Sequence, residues 1–261
     1  DFKERPEQDD LSENWAATDL VFEFESGEVD IVIQDLQSVF NLNDFVSSNE
    51  GNSLIAEKLS LLSSQIGLNP SWMDELLDFS DLDGEVRPSG AEDYYYLGLE
   101  RPYRTSGQPL QDLSEIRLLR TMTNEAYGRL SDVMTVLPTS GGALNVNTAP
   151  PMVLQTLATN LDLESATSLA ESRLRLEGFE SVEQFLQQPE LAGLAVKPGG
   201  LGVQSSFFKV NTKARFGTQI VFLTSFVFRD ATTGKMTVYQ RKNNERFIPF
   251  VPEEEILANG L

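Results

Sequence analysis

The sequence of 261 residues contains no cysteine and no histidine. Their absence excludes the usual ligand sets of zinc, a cysteine nucleophile and any catalytic triad that relies on a histidine base. It does not fix the cellular compartment, because an oxidising compartment permits disulfides without requiring them. No stretch approaches the ~18–20 apolar residues of a membrane span, and no signal peptide is recognisable.

The charge balance is strongly acidic. Asp and Glu outnumber Lys and Arg by 40 to 20, which gives a formal net charge of −20. Nucleic acids and anionic membrane surfaces attract proteins with a cationic face, so both are disfavoured as partners. The apolar content of 40% and the charged content of 23% are ordinary for a soluble globular protein. A chain of this length forms one large domain or two small ones, and its charge suits cations or a basic partner.

The acidic side chains are most concentrated in the segment Asp78–Tyr96. Gly84, Pro88 and Gly90 interrupt any regular element there and predict a loop, in which Arg87 is the one cation. Crowded carboxylates on an ordered loop repel each other unless a cation neutralises them, and Ca²⁺ accepts a cage of many carboxylates more readily than Mg²⁺ does. The six carboxylates of the segment are Asp78, Asp81, Asp83, Glu85, Glu92 and Asp93.

The spacing of these acids is close to that of an EF-hand loop. Counted from Asp81, acidic residues occupy positions 1, 3, 5 and 12. The EF-hand requires glycine at position 6 for its sharp turn, and this chain has Val86 there, which argues against an EF-hand proper. Two interpretations remain open from the residues alone, a calcium cage of another kind and a solvated acidic loop.

The two ends of the chain have the alternating pattern of β-strands. Leu20–Glu25 and Val29–Gln34 alternate apolar and polar side chains around a tight turn at Gly27, which predicts a hairpin. Residues Val39–Asn43 continue in extended form. Further strands are expected after the loop Pro189–Gln204, at Phe207–Lys213, Thr218–Arg229 and Met236–Arg241.

The middle of the chain has helical periodicity. Apolar residues from Ser48 to Gly67 recur at steps of three and four, and Asn69-Pro70 opens a second helix that leads into the acidic loop. Further helices are predicted at Leu113–Arg120, Asn124–Val136, from the prolines at 150–151 to Ala158, at Glu164–Arg175 and at Val182–Gln187.

Strands, then helices, then strands predict an α+β fold. We expect residues 18–45 and 205–243 to form one antiparallel sheet into which a large all-helical domain is inserted. The corresponding domains are residues 1–47, the first part of the sheet domain; 48–204, the helical insert with the acidic loop; and 205–261, the second part of the sheet domain, whose tail Glu253–Leu261 is expected to be loose.

Other chemistries have little support in the residues. The helical pairs at 113–136 and 149–187 have some similarity to helix-hairpin-helix modules, but the hairpin position Thr159–Glu164 is acidic and lacks glycine, so DNA binding is disfavoured. No carboxylate pair is singled out for glycoside hydrolysis, and no nucleophile elbow, phosphate loop or dinucleotide fingerprint is present. The sequence therefore predicts a non-enzymatic protein.

The sequence resembles the type II secretion system minor pseudopilin K family. The resemblance covers nearly the whole chain, and its motifs occur in the family's order and at about its spacing. These motifs are Asp35–Phe45, Asp78–Tyr96 and Leu144–Pro150, with the strongest similarity at Ser89–Tyr96, Leu113–Arg117 and Asn145–Ala149.

The resemblance implies a pilin-like fold, a calcium site in the helical insert and a structural role at the tip of the pseudopilus. The ligand set that it implies is Asp78, Asp81, Asp83, Glu92 and Asp93, with Glu85 as a weaker sixth. Its implied partners are minor pseudopilins I and J in a heterotrimeric tip complex, and beyond them minor pseudopilin H and the major pseudopilin.

The resemblance also implies a location. The chain is expected to be the periplasmic part of a bacterial inner-membrane protein, attached to the membrane only through an N-terminal hydrophobic helix that this sequence does not contain. The alternative function is a calcium-stabilised periplasmic or extracellular binding domain with no role in a fibre.

Overall fold

A computed structural model describes residues 5, 7–18, 20–47 and 53–247, and the predicted loose tail 253–261 lies outside them. Both ends of the described chain contribute to one five-stranded antiparallel sheet with the order β1-β2-β7-β8-β9. Its strands are β1 (Leu20–Phe24), β2 (Gly27–Asp35), β7 (Phe207–Phe216), β8 (Gln219–Arg229) and β9 (Met236–Asn243).

The first hairpin of the sheet requires glycine at its turn. At the β1–β2 turn, a Cβ on Gly27 would lie 2.0 Å from the carbonyl oxygen of Arg215, so only glycine fits there. Strands β2 and β7 pair from Gly27 opposite Phe216 to Asp35 opposite Phe208. A single antiparallel sheet built from both ends of the chain is thus confirmed, although its first part ends at Asp35.

The helices lie between β2 and β7 in the sequence. They are α1 (Leu42–Val46), α2 (Ser53–Gln65), α3 (Ser71–Ser80), α4 (Asp93–Leu97), α5 (Asn124–Ser131), α6 (Pro151–Gln155), α7 (Leu163–Arg175) and α8 (Val182–Leu186). Short 3-10 turns occur at Asn14–Ala16, Leu36–Ser38, Leu113–Leu118 and Pro189–Leu191. Two pairs of two-residue parallel strands join distant segments, β3 (Phe40–Asn41) with β4 (Met134–Thr135) and β5 (Leu144–Asn145) with β6 (Leu201–Gly202).

The main hydrophobic core belongs to the helical region. It extends from Phe40, Leu42 and Phe45 through the helices to Leu201. The sheet has a much smaller buried cluster of Leu36, Leu137 and Phe207. The predicted domain boundaries at 47/48 and 204/205 stay a prediction.

Several local predictions differ from the structure. The predicted loop Asp78–Tyr96 is shorter, since α3 extends to Ser80 and α4 begins at Asp93, and the helix predicted from the prolines at 150–151 to Ala158 ends at Gln155. The extended run Val39–Asn43 is limited to Phe40–Asn41, because the side chain of Asn41 accepts a hydrogen bond from the backbone N–H of Asn43 and starts α1. The helix predicted over 124–136 ends at Ser131, since Met134–Thr135 pairs with β3. The segment predicted as a helix at 113–120 is a 3-10 helix over Leu113–Leu118.

A buried polar network joins the sheet to the helical region at the end of β2. Asp35 accepts hydrogen bonds from the Thr148 hydroxyl (2.5 Å), the Ser205 hydroxyl (2.6 Å) and the Asn145 side-chain amide (3.2 Å). Nearby, the buried Asp9 carboxylate forms an ion pair with Arg229. These contacts fix the direction in which the chain leaves the sheet.

Candidate metal centre

The acidic loop begins where α3 ends. Asp78 is fully buried in the last turn of α3, and Asp81 is the residue that ends the helix, with its backbone N–H bonded to the carbonyl oxygen of Leu77. Phe79, between them, is 2% exposed and packs edge-on against Tyr96, with ring centroids 5.8 Å apart. The aromatic residues therefore hold both ends of the loop in the core, although Tyr94 is 93% exposed.

Arg87 is the one cation among the loop's carboxylates. Its Nη1 lies 2.6 Å from Asp78 Oδ1 and 2.6 Å from Asp81 Oδ2. A Cβ on Gly90 would lie 1.8 Å from Asp78 Oδ2, so glycine is required for the loop backbone to cover the buried carboxylate. The loop is also held to α3 by a hydrogen bond from the Ser89 N–H to Asp74.

Three of the predicted ligands converge. Asp81, Asp83 and Glu92 each offer one carboxylate oxygen, and these oxygens all lie within 4.8 Å of one another. Glu92 is 7% exposed. Asp81 Oδ1 and Glu92 Oε1 are enclosed atoms that have no hydrogen-bond partner among the residues that the structure describes. Buried carboxylate oxygens without donors are costly, so these two atoms point to a cation as their missing partner.

The protonation behaviour of the cluster reflects its crowding. Burial raises the pKa of Glu92 to about 7, and the negative charges of Asp78, Asp81 and Asp83 add to the rise. Burial also raises the pKa of Asp81, although the hydrogen bond and the positive charge of Arg87 oppose the rise. The cluster thus contains four carboxylates and one guanidinium. The excess of negative charge disfavours the ionised forms of the carboxyl groups.

The other predicted ligands are placed differently. Asp78 is buried beside the cluster, but its carboxylate is bonded to Arg87. Glu85 is exposed on the loop. The Asp93 carboxylate accepts hydrogen bonds from the Thr105 N–H (2.9 Å) and from Arg104 (2.7 Å), and the Thr105 bond is the main cause of its lowered pKa. Their roles as ligands stay a prediction.

The residues present fit a hard divalent cation. Every donor in the converging group is a carboxylate oxygen, the donor type that Ca²⁺ prefers, and two donor oxygens have no protein partner in the described chain. A calcium ion would be held by Asp81, Asp83 and Glu92, with Asp78 beside them. There it would supply positive charge that cross-links the end of α3 to the start of α4.

Sequence reasoning missed the chemical role of Asp35. Burial raises the pKa of its carboxyl to about 6, and three donors from two distant segments bind its oxygens. The only signal in the sequence was its place in the Asp35–Phe45 motif, which contains no information about distant donors.

Comparisons with known proteins identify the family. Two models of type II secretion system protein K match residues 38–139 and 144–204. Type II secretion system protein K of Aeromonas hydrophila is 30% identical over 264 aligned residues, which cover 93% of this chain and 79% of that protein. The chain belongs to the type II secretion system protein K family.

Other members of the family and a solved structure agree. Protein K of Pseudomonas aeruginosa is 31% identical over alignments that cover 92% of this chain and 73% of that protein. The crystal structure of the GspK-GspI-GspJ complex from enterotoxigenic Escherichia coli contains a chain with the same fold, with a TM-score of 0.79 and 25% identity, covering 92% of this chain and 88% of that chain. The mixed helix and antiparallel sheet fold is therefore that of a protein K.

Two of the motifs that carried the resemblance hold buried turns of the protein K fold in place. In Leu144–Pro150, Asn147 exchanges two hydrogen bonds with the backbone of Phe179, at 2.9 and 2.7 Å. In Asp35–Phe45, the Asn43 side-chain amide donates to the carbonyl oxygens of Leu110 and Leu137.

Among the described residues, no helix is long and apolar enough to cross a membrane.

Proposed function

We propose that this protein is a calcium-binding minor pseudopilin that caps the tip of the type II secretion pseudopilus, without enzymatic activity. Calcium binding is supported by the convergence of Asp81, Asp83 and Glu92 within 4.8 Å, together with the enclosed, unpartnered oxygens of Asp81 and Glu92. The ion binds the folded loop and stabilises the folded protein by mass action.

The partners are the pseudopilins I and J. The family neighbour of the same fold was crystallised as a GspK-GspI-GspJ complex, and 92% of this chain aligns with it. The same family membership supports a location on the periplasmic side of the inner membrane, where the fibre is assembled. The complex supports protein export through the outer membrane.

The helical region makes this subunit a cap. The chain leaves the sheet at Asp35, the end of β2, and returns at Phe207, the start of the adjacent strand β7. The helical region between these two points is therefore connected to the sheet in the way that an inserted domain is. A bulky insert at this point prevents another subunit from stacking above, so the chain ends the fibre instead of repeating along it.

A structural role also fits the buried acids. Asp35, whose pKa is raised to about 6 by burial, has both carboxylate oxygens bonded to protein donors. Such a group is not free to exchange a proton with a substrate. Glu92, the other strongly shifted acid, lies in the carboxylate cluster that we assign to the ion.

Calorimetry tests the calcium assignment. We expect calcium to raise the melting temperature of the EDTA-treated protein, by an amount that corresponds to about 2.7 kcal/mol when the free ion is at 100 times its Kd. Glu92→Gln and Asp81→Asn remove most of this increase, whereas the exposed Glu100→Gln keeps it. An equal melting temperature with calcium and with EDTA contradicts the assignment.

The same experiment separates the predicted ligands that the structure places apart. If Asp93 only holds Arg104 and Thr105, Asp93→Asn lowers the melting temperature by the same amount with and without calcium. If Asp93 is a ligand, the decrease is larger with calcium.

Reconstitution tests the tip complex. We expect the chain to co-elute with the periplasmic parts of pseudopilins I and J in size-exclusion chromatography at micromolar concentration. Calcium binding without association with I and J favours instead a binding domain that has no role in a fibre.

A further inference from the structure

One nitrogen atom of Arg87 bridges two carboxylates of the acidic loop. Nη1 lies 2.6 Å from Asp78 Oδ1 and 2.6 Å from Asp81 Oδ2. The Asp78 side chain is fully buried, whereas those of Arg87 and Asp81 are partly exposed. The guanidinium therefore lies at the boundary between the core and the three converging carboxylates, which are Asp81, Asp83 and Glu92.

Asp78 fixes Arg87 from the side of the core. Besides its bond to Nη1, the Asp78 carboxylate accepts a hydrogen bond from the backbone N–H of Arg87, at 3.2 Å. The backbone and the side chain of one residue are thus bonded to the same buried group, which Gly90 covers. Because charge-assisted hydrogen bonds are the stronger ones, the guanidinium has a defined position before any ion binds.

Asp81 is held through one of its two oxygens. Its Oδ2 accepts the bond from Arg87, and its Oδ1 is the enclosed atom that has no hydrogen-bond partner in the described part of the chain. The carboxylate therefore cannot exchange its two oxygens without breaking the bond to Arg87. Asp83 is divided in a similar way, because its Oδ1 accepts the backbone N–H of Glu85 at 2.9 Å. Each of these two carboxylates leaves its other oxygen for an ion.

The charge of Arg87 is already compensated on the side of the core. Asp78 and Arg87 are a bonded pair of opposite charges, so together they contribute little net charge to the site. The negative charge that attracts a cation is therefore that of Asp81, Asp83 and Glu92. The guanidinium acts on an ion mainly through the orientation that it gives to Asp81.

We propose that Arg87 is a positioning residue of the calcium site, which holds the Asp81 carboxylate with Oδ1 directed at the ion and is itself fixed by Asp78. This inference rests on the proposed calcium binding and adds to it residues that act without touching the ion. Asp78, one of the predicted ligands, acts in this arrangement through Arg87. Removal of a group that bonds to the far side of a metal ligand typically weakens metal binding by about 10–100-fold.

Calcium titration of variants at Arg87 tests the proposal. Isothermal titration calorimetry of the full chain, freed first of calcium and then of EDTA, gives the Kd for calcium chloride. Arg87→Gln alone leaves Asp78 buried without a counter-charge, which is strongly destabilising and can prevent folding. The comparison is therefore made between Asp78→Asn and the double variant Asp78→Asn/Arg87→Gln, in which no buried carboxylate has lost its partner.

We expect the double variant to bind calcium about 10–100-fold more weakly than Asp78→Asn does. In Asp78→Asn the amide oxygen still accepts the bond from Arg87, so the guanidinium keeps its hold on Asp81. The control is Arg101→Gln in the same Asp78→Asn chain, because it removes an exposed positive charge a few residues after α4. This control is expected to leave the Kd unchanged.

Two further measurements distinguish positioning from a merely structural role. The melting temperature in EDTA reports what Arg87 contributes to the metal-free fold, whereas the Kd reports what it contributes to the ion. In the wild type, we expect the NMR signals of the Arg87 guanidinium N–H groups to persist when calcium is added. The reason is that the arginine and the ion bind different oxygens of Asp81.

Three results overturn the proposal. Equal Kd values of Asp78→Asn and the double variant would show that Arg87 supports only the fold. Tighter binding by the double variant, or loss of the guanidinium signals on addition of calcium, would show that Arg87 competes with the ion. Absence of calcium binding by the wild type contradicts the calcium assignment itself, and the positioning role falls with it, whereas the first two results leave that assignment intact.

Discussion

At the residue scale, the position of the acidic loop depends on Gly90. A Cβ at this position would lie 1.8 Å from one oxygen of the buried Asp78 and 2.5 Å from its carboxyl carbon. Asp78 cannot move away without breaking its bond to Arg87. An added methyl group therefore has to displace the loop backbone.

We expect Gly90→Ala to lower the free energy of unfolding by about 2 kcal/mol, the usual cost of overpacking a buried site. Gly84→Ala is the matched control in the same loop, because a Cβ there meets nothing within 4 Å, and it changes stability by less than ~0.5 kcal/mol. Urea unfolding measures both. Equal effects of the two substitutions would show that the loop does not press on Asp78.

The titration of Asp35 makes the stability of the folded protein depend on pH. Its pKa is raised from 3.8 to about 6, chiefly by burial. Between about pH 4 and pH 6 the folded protein keeps a proton that the unfolded chain has lost, so the free energy of unfolding falls as the pH rises across this window. Above pH 6 both states have lost the proton and the contribution of Asp35 is constant.

Asp35→Asn removes this contribution, because an amide does not titrate in this range. We expect the difference in stability between the wild type and Asp35→Asn to change between about pH 4 and pH 6 and to be constant above pH 6. Denaturant unfolding at a series of pH values measures it, with the exposed Asp132→Asn as the control. A difference that is constant from pH 4 to pH 8 would contradict the shifted pKa.

At the scale of elements, the sequence was informative where a pattern is local. Period-2 alternation and Gly27 were sufficient for the β1–β2 hairpin, and helical periodicity was sufficient for α2 and α7. Local patterns failed where pairing with a distant segment determines the secondary structure. Met134–Thr135 is a strand only because it pairs with Phe40–Asn41, more than ninety residues away in the chain.

The same division applies to the candidate site. The crowding of acids between α3 and α4 was visible in the sequence. The contacts that distinguish these acids from one another were not visible, because they involve side chains that come close only in the fold. Asp78 is paired with Arg87, and Asp93 is bonded to Arg104 and Thr105. Asp81, Asp83 and Glu92 instead converge on one point.

The connection between α7 and α8 is held to the turn before α6 by one asparagine. The Asn147 side chain is fully buried and satisfies both the N–H and the carbonyl oxygen of Phe179. Asn147→Ala leaves both backbone groups buried without a partner, so we expect a loss of about 3 kcal/mol in the free energy of unfolding. Asn160→Ala, at an exposed position, changes it by less than ~0.5 kcal/mol.

At the scale of the whole molecule, the sheet depends on the helical region for its stability. The sheet's own buried cluster consists of Leu36, Leu137 and Phe207, and Leu137 comes from the helical stretch. The polar network around Asp35 takes donors from both parts, Ser205 beside the sheet and Asn145 beside the helices. A sheet with so small a core of its own cannot remain folded after the helical region has unfolded.

We therefore expect one cooperative thermal transition, with equal calorimetric and van't Hoff enthalpies, even though the helical region is inserted between two strands.

Ser205→Ala removes the hydroxyl that joins Asp35 to Asn145. A loss of ~1.5 kcal/mol lowers the single melting temperature by about 3–6 °C. Ser206→Ala is the neighbouring control, because the bond from the Ser206 backbone N–H to Gln37 is kept. Differential scanning calorimetry in EDTA would contradict this coupling if it resolved two transitions in the wild type, since the sheet and the helical region would then unfold independently.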